Sequence, residues 1–193
     1  RMRYYNADGG EAEMCGNGAR CFARFVNRLH EGRLDGVRFE TLAGMISAEF
    51  PGDQVRINMS APHGLKLDQA LDVAGQRLAV HSINTGVPHA VVFVEDLDGV
   101  DVPRLGSGLR YHGAFAPKGT NANFARITGP GQISIRTYER GVEGETLACG
   151  TGMVACALIA HEIHHFSSPV SVKVKGGDTL RVGFEQNGAE YRH

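Results

Sequence analysis

Apolar positions along this chain fall into two successive sets that share one order of elements. Phe22, Phe25, Val26 and Leu29 recur at i, i+3, i+4 and i+7 spacing, which predicts an amphipathic helix with one buried face. After it VRFET, MISAEF and QVRINM alternate apolar and polar residues, the first two joined at Leu42, Ala43 and Gly44, as in an antiparallel meander. Much further on, ISIRTYE reads as a strand, and the stretch from Met153 to Ala160 is apolar all round, which predicts a buried helix. VSVKVK, a Gly176-Gly177 turn and TLRVGF then form a hairpin. Each predicted helix opens with Cys-Gly-x-Gly, at Cys15 and again at Cys149. Tyr5 lies ten residues before Cys15 and Tyr138 eleven before Cys149, so Asn6 and Glu139 occupy matching places.

Repetition of strand, turn, Cys-Gly-x-Gly, helix and hairpin implies two related halves. The expected fold class is α+β, with two pseudo-symmetric lobes, each a mostly antiparallel sheet wrapped around a central helix, and an active-site cleft between them. SAPHGLK, around residues 60 to 66, has the proline and glycine of a linker, and LAVHSI and HAVVFVED read as strands of the second half. The boundary is placed near residue 63, giving an N-terminal lobe over 1–63 and a C-terminal lobe over 64–193. Because Arg1 falls inside the extended RMRYY, the first lobe is expected to be truncated at its start, and a closing strand is expected to be missing at the other end.

Composition narrows the partners. A chain of 193 residues with 42% hydrophobic and 21% charged residues can bury a sizeable core, and its formal net charge of -1 draws it toward neither nucleic acid nor anionic lipid. No apolar run is long enough to span a bilayer. A soluble, cytoplasmic protein acting on a small molecule is the expectation. Such a core needs no disulfide staples, so the four cysteines require another account. Cys21 and Cys156, inside the two helices, are expected to pack in cores. His161, Glu162 and His165 spell HExxH, a pattern that can bind zinc, but it falls at the tail of an apolar helix with no evident third ligand, so no metal site is expected.

Cys15 and Cys149 carry the chemistry. A cysteine at a helix N-terminus meets free N–H groups and the positive end of the macrodipole, which should lower its pKa. Glycines at 16 and 18, and at 150 and 152, let the backbone turn tightly and let an anion approach those N–H groups. A substrate carboxylate bridging both helix ends would place one sulfur on each side of the adjacent carbon. One thiolate then removes the proton while the opposite thiol returns one, and the N–H donors stabilise the charge that builds on the carboxylate. Two nearby thiols could instead form a redox switch that cycles through a disulfide.

NADGGEAEMCGNGARC and YERGVEGETLACGTG resemble the two signature segments of the diaminopimelate epimerases, and NTGVPH and KGTNANF extend the resemblance over most of the chain. It implies a cofactor-independent isomerase that interconverts LL- and meso-diaminopimelate on the route to lysine and peptidoglycan, with a homodimer as the suggested assembly. By the same resemblance Cys15 and Cys149 are the acid/base thiols, and Gly16, Asn17, Gly150 and Thr151 hold the substrate carboxylate. Asn6, Asn121, Glu139 and Arg140 become substrate contacts, and His89 with Glu139 tunes the reacting amino acid. The chain departs from the family pattern at Val87, where an asparagine is usual; that contact is expected to pass to a neighbour such as Asn84. Proline and hydroxyproline racemases share the two-thiol logic but resemble this chain less, since they typically carry histidine at the position of Asn17.

Overall fold

The computed structural model describes residues 1–5, 9–188 and 190–192. A short antiparallel pair, β1 (Tyr4–Tyr5) and β2 (Glu11–Ala12), leads into helix α1 (Gly16–Leu29). Strands β3 (Gly36–Thr41), β4 (Gly44–Glu49) and β5 (Arg56–Asn58) follow as the expected antiparallel meander, with the tight turn at Leu42 and Ala43. Met2, Ala19, Ala23, Phe39, Ile46 and Ala48 form the core of this first lobe.

The helix does not bury the face its largest apolar residues would suggest. Gly16, Ala19, Ala23 and Asn27 face inward, while Phe25 and Leu29 are 59% and 67% exposed and Cys21 is exposed rather than packed. Small residues let α1 approach its neighbours closely, and Phe22, on the flank, meets Phe39 edge-on with 4.9 Å between ring centroids. Cys21, Phe25 and Leu29 lie four apart and share the far side of the helix.

The second lobe contains β6 (His63–Val73), β7 (Gln76–Asn84), β8 (Pro88–Phe93), helix α2 (Val102–Arg110), β9 (Asn121–Gly129), β10 (Gln132–Glu139), β11 (Gly144–Thr146), helix α3 (Gly150–His164), β12 (Val170–Lys173) and β13 (Thr179–Val182). These strands make an eight-stranded sheet in the order β13-β12-β10-β9-β8-β7-β6, with β11 pairing alongside β10. Only β8–β9 and β10–β12 are parallel. A last hairpin, β14 (Glu185–Asn187) with β15 (Glu190–Arg192), closes the described chain.

Two expectations change here. The supposed linker shrinks, because β6 already begins at His63, opposite Asn84. Gly64 (φ +69) and Asp68 (φ +51) sit in bulges of this edge strand, so the glycine marks a kink in a strand and not its absence. Helix α2 has no counterpart in the sequence reading, since Pro103, Gly106 and Gly108 argue against a helix. Asp101 caps it through the Arg104 N–H, and its glycines are packing sites: a Cβ on Gly106 would lie 2.5 Å from the Cβ of Tyr138, and one on Gly108 2.8 Å from Cγ1 of Val73.

The sheet has a core on each face. Val80, Val92, Leu109 and Phe124 pack on the α2 side, and α3 buries nine residues from Thr151 to Ala160 on the other, Cys156 among them as expected. Arg136 on β10 ties this frame to the loop before α2. Its guanidinium reaches Glu145 at 2.7 and 3.1 Å and the carbonyls of Leu97, Asp98 and Val100 at 3.0, 3.2 and 3.0 Å. At the tail of α3, the HExxH residues serve the fold. His161 bonds the Phe166 carbonyl and Gln186, Glu162 accepts from the Tyr191 hydroxyl, and His165 is the left-handed C-cap.

Candidate active site

Both cysteines are helix N-caps in nearly the same conformation, Cys15 at φ -136, ψ 111 and Cys149 at φ -123, ψ 111. The residues that follow bring the two helix ends into contact. A Cβ on Gly16 would lie 3.3 Å from the Cα of Gly150, and one on Gly150 3.2 Å from the Cα of Gly16. Any side chain at either place would push the ends apart, so the pattern of glycines has a direct steric cause. Asn17 adds a tie across the same junction by donating to the Ala148 carbonyl at 3.3 Å.

The sulfurs differ in surroundings. Cys15 is half-buried, and its Sγ accepts from the Gly18 N–H at 3.3 Å. Tyr4, across from it on β1, has its phenol pKa raised, first by the charge of Cys15 and then by burial. Cys149 is buried, and burial, followed by the nearby Glu139 carboxylate, pushes its thiol up to about 12. The lowered value expected from the helix terminus is thus reversed at Cys149, because desolvation of a fully enclosed thiolate outweighs the macrodipole. Glu139 is itself raised, chiefly by burial, and accepts from the Thr146 hydroxyl and the Cys149 thiol.

Thr151 stands beside Cys149 with its Oγ1 3.5 Å from the sulfur, and the Thr85 hydroxyl donates to its carbonyl at 2.9 Å. His89 lies behind it, 1% exposed, with Nε2 2.8 Å from Thr151 Oγ1 and Nδ1 3.1 Å from Asn123 Nδ2. Burial depresses its pKa to about 3, so the ring is neutral near pH 7. His89 therefore reaches the thiol only through Thr151.

A cavity of about 300 Å³ opens nearby, walled by Glu13, Ser60, Asn84, Pro88, Lys118 and Arg140, among others. Arg140 lies 3.7 Å from Glu13, and Asn121 positions it by accepting its main-chain N–H at 2.9 Å while donating to the Pro88 carbonyl at 3.1 Å. Asn84 lines the same wall, its side chain accepting from the Gly86 N–H at 2.9 Å. Asn6 lies outside the described residues. Tyr5 and Tyr138, matched by position, are not matched in burial: Tyr5 is 49% exposed and Tyr138 6%. Tyr4, Glu13, Thr85, Asn123 and Thr137 escaped the sequence reading. Glu13, Thr85 and Asn123 carried a signal, by standing inside the quoted segments NADGGEAEMCGNGARC, NTGVPH and KGTNANF.

Solved structures share this architecture. A probable proline racemase from Agrobacterium radiobacter K84 superposes with a TM-score of 0.69 at 18% identity, covering 96% of this chain and 64% of the other. A PhzF-family phenazine biosynthesis protein from Bacillus anthracis gives 0.71 at 15% identity over 98% of this chain and 75% of its own. At such identities the likeness is one of fold.

Sequence relatives are more specific. The model of the family described as diaminopimelate epimerase matches residues 1–63 and 81–191. The diaminopimelate epimerase of Aquifex aeolicus (strain VF5) is 44% identical over 192 residues, covering 97% of this chain and 67% of the relative. That of Archaeoglobus fulgidus is 45% identical over 190 residues, covering 92% and 66%. The chain belongs to the diaminopimelate epimerase family, and its class is isomerase. It spans about two thirds of the length of these curated relatives.

Proposed function

We propose that this chain carries the two-thiol centre of an enzyme that interconverts LL- and meso-diaminopimelate, a step of lysine and diaminopimelate biosynthesis. The observation that carries the reading is the pair of cysteine N-caps held together by the contact of Gly16 with Gly150. The division near residue 63 then puts one thiol in each lobe. The carboxylate of the reacting centre takes the N–H groups after each cysteine, at Gly16 and Asn17 and at Gly150 and Thr151, where helix ends favour an anion.

In the direction that begins with Cys149 protonated, the Cys15 thiolate removes the α-proton and forms an S–H bond. The electron pair left at carbon is drawn into the carboxylate, whose growing charge the N–H groups stabilise. Cys149 then delivers its proton to the opposite face, which inverts the centre and leaves a thiolate at Cys149. The reverse reaction exchanges the roles. Burial of Cys149 supports its holding a proton at rest, since its thiol is raised to about 12. Glu139 supplies an acceptor for the ammonium beside the reacting carbon, and Asn6 is a further substrate contact. Arg140, held by Asn121, and Asn84 face the cavity that takes the far end of the diamino diacid.

The test is exchange of the substrate α-hydrogen in heavy water, followed with epimerisation in Cys15→Ser and Cys149→Ser variants. Each substitution is expected to lower epimerisation by at least about a thousandfold, because either face then lacks its acid or base. Near-parental epimerisation in either variant refutes the two-thiol scheme.

A further inference from the structure

Behind Cys149 runs a chain of buried polar groups in which every proton has one place to go. The Thr137 hydroxyl donates to Asn123 Oδ1 at 3.0 Å, and Asn123 Nδ2 donates to the Ala90 carbonyl at 2.9 Å. A carbonyl can only accept, so the Ala90 oxygen fixes which end of the amide is nitrogen. The same nitrogen lies 3.1 Å from His89 Nδ1, and since an amide NH₂ can only donate, Nδ1 must be the unprotonated ring nitrogen. In a neutral imidazole the proton is then on Nε2, 2.8 Å from Thr151 Oγ1. That contact fills a lone pair of the threonine, whose own hydroxyl proton is left for Cys149 Sγ at 3.5 Å.

We propose that Asn123, anchored by Thr137, is a positioning residue for Cys149: it holds His89 in the Nε2–H tautomer so that the Thr151 hydroxyl donates to the sulfur whenever that sulfur is a thiolate. The inference rests on the two-thiol reading above and adds what keeps the deeper thiol usable. Three observations support it. Thr137, Asn123, His89 and Thr151 are 3%, 0%, 1% and 5% exposed, so water does not compete for these bonds. The Thr151 hydroxyl acts against burial and lowers the Cys149 pKa, and the depressed pKa of His89 keeps its ring neutral. Finally, a Cβ on Gly152 would fall 2.4 Å from Asn123 Oδ1, so the first turn of α3 rests directly on this amide.

The chain of bonds also has a direction. It presents a donor to the sulfur and no acceptor for the sulfur's proton, so the thiol can give that proton only toward Glu139 or the substrate carbon, never back through Thr151. Other groups that act on Cys149 are Glu139 from β10, Cys15 at the head of α1 and the Gly152 N–H, and Arg140 acts on His89. None of them is altered in the variants below.

Asn123→Asp, when ionised, offers an acceptor to Nδ1 and reverses the chain, so that Nε2 takes the Thr151 proton away from the sulfur. The measurements, on the full chain, are the tautomer of His89 from its ring nitrogen NMR shifts and the rate of alkylation of Cys149 by iodoacetamide at one fixed, mildly alkaline pH, resolved by peptide mass spectrometry. The parent is expected to hold the Nε2–H tautomer through the neutral range. Asn123→Asp should move the ring proton to Nδ1. Asn123→Asp and Thr151→Val should each slow alkylation of Cys149 about tenfold at that pH, with the rate at Cys15 unchanged. An Nδ1–H tautomer in the parent overturns the proposal, as does an unchanged Cys149 alkylation rate in Thr151→Val. Should Asn123→Asp unfold, seen as rapid labelling of Cys156, the parent tautomer and Thr151→Val decide. Failure of the epimerase reading shows separately, as absent α-hydrogen exchange in the parent.

Discussion

Gly152→Ala should destabilise the protein although it replaces glycine by alanine inside a helix. In an open helix that exchange is favourable by about 1 kcal/mol. Here the new methyl would lie 2.4 Å from Asn123 Oδ1 and 3.3 Å from both Cβ and Sγ of Cys149. An ordinary carbon–oxygen contact is about 3.4 Å, so amide or helix must move by about 1 Å. The amide is held by Thr137, the Ala90 carbonyl and His89, and a shift of that size breaks at least one of these buried bonds. Leaving one buried group unpaired costs about 1–3 kcal/mol, and overpacking adds about 1–3 kcal/mol. Against the helix gain the net loss is about 1–5 kcal/mol, which for a chain of this size lowers the melting temperature by about 2–20 °C. Thermal unfolding followed by circular dichroism measures it. Pairing the substitution with Asn123→Ala should cost less than the sum of the two, since the methyl then has room. A Gly152→Ala melting temperature at or above the parent's, or strict additivity with Asn123→Ala, refutes the argument.

Two further outcomes follow from ionisable groups of the second lobe. The folded pKa of His89 is depressed to about 3, so the unfolded chain binds a proton that the folded one does not. Stability from this group is full above about pH 6.5 and falls as pH drops toward 3, by at most about 1.4 kcal/mol per pH unit. Urea titrations across that window should show the slope in the parent and a flatter one in His89→Gln; equal slopes would refute the assignment. Arg136→Lys should cost about 2 kcal/mol in the same urea assay, because an ammonium cannot serve Glu145 and three carbonyls from one planar fork. A loss below about 0.5 kcal/mol would mean that the fork is dispensable.

The sequence was most legible where local pattern and tertiary need agree. Hairpins, the all-apolar α3 and the twin Cys-Gly-x-Gly turns were readable because alternation, turn residues and glycine each have one dominant physical cause. Helix α1 was readable as a helix but not in its orientation. Periodicity favoured Phe25 and Leu29, whereas close approach selected Gly16, Ala19 and Ala23, and small residues give almost no hydrophobic signal. Helix α2 was hidden for a related reason, its glycines being packing sites and not breaks. At the site, the N-cap cysteines could be named, but the raised pKa of Cys149 depends on how deeply the fold encloses it. Asn123 and Thr137 pair across neighbouring strands, a relation that only the register of β9 with β10 reveals.

The contact between Gly16 and Gly150 sets a limit on what substitution can tune. It is made by main chain on both sides, so the gauge of the gap between the two thiols is not encoded in any side chain that could drift. The walls of the neighbouring cavity, at Glu13, Asn84, Lys118 and Arg140, are ordinary side chains open to replacement. On the proposed two-thiol reading, such a site separates the part that moves the proton from the part that selects the molecule. Selectivity can change one wall residue at a time while the jaws keep their width, whereas a change at either glycine alters every substrate's fit at once.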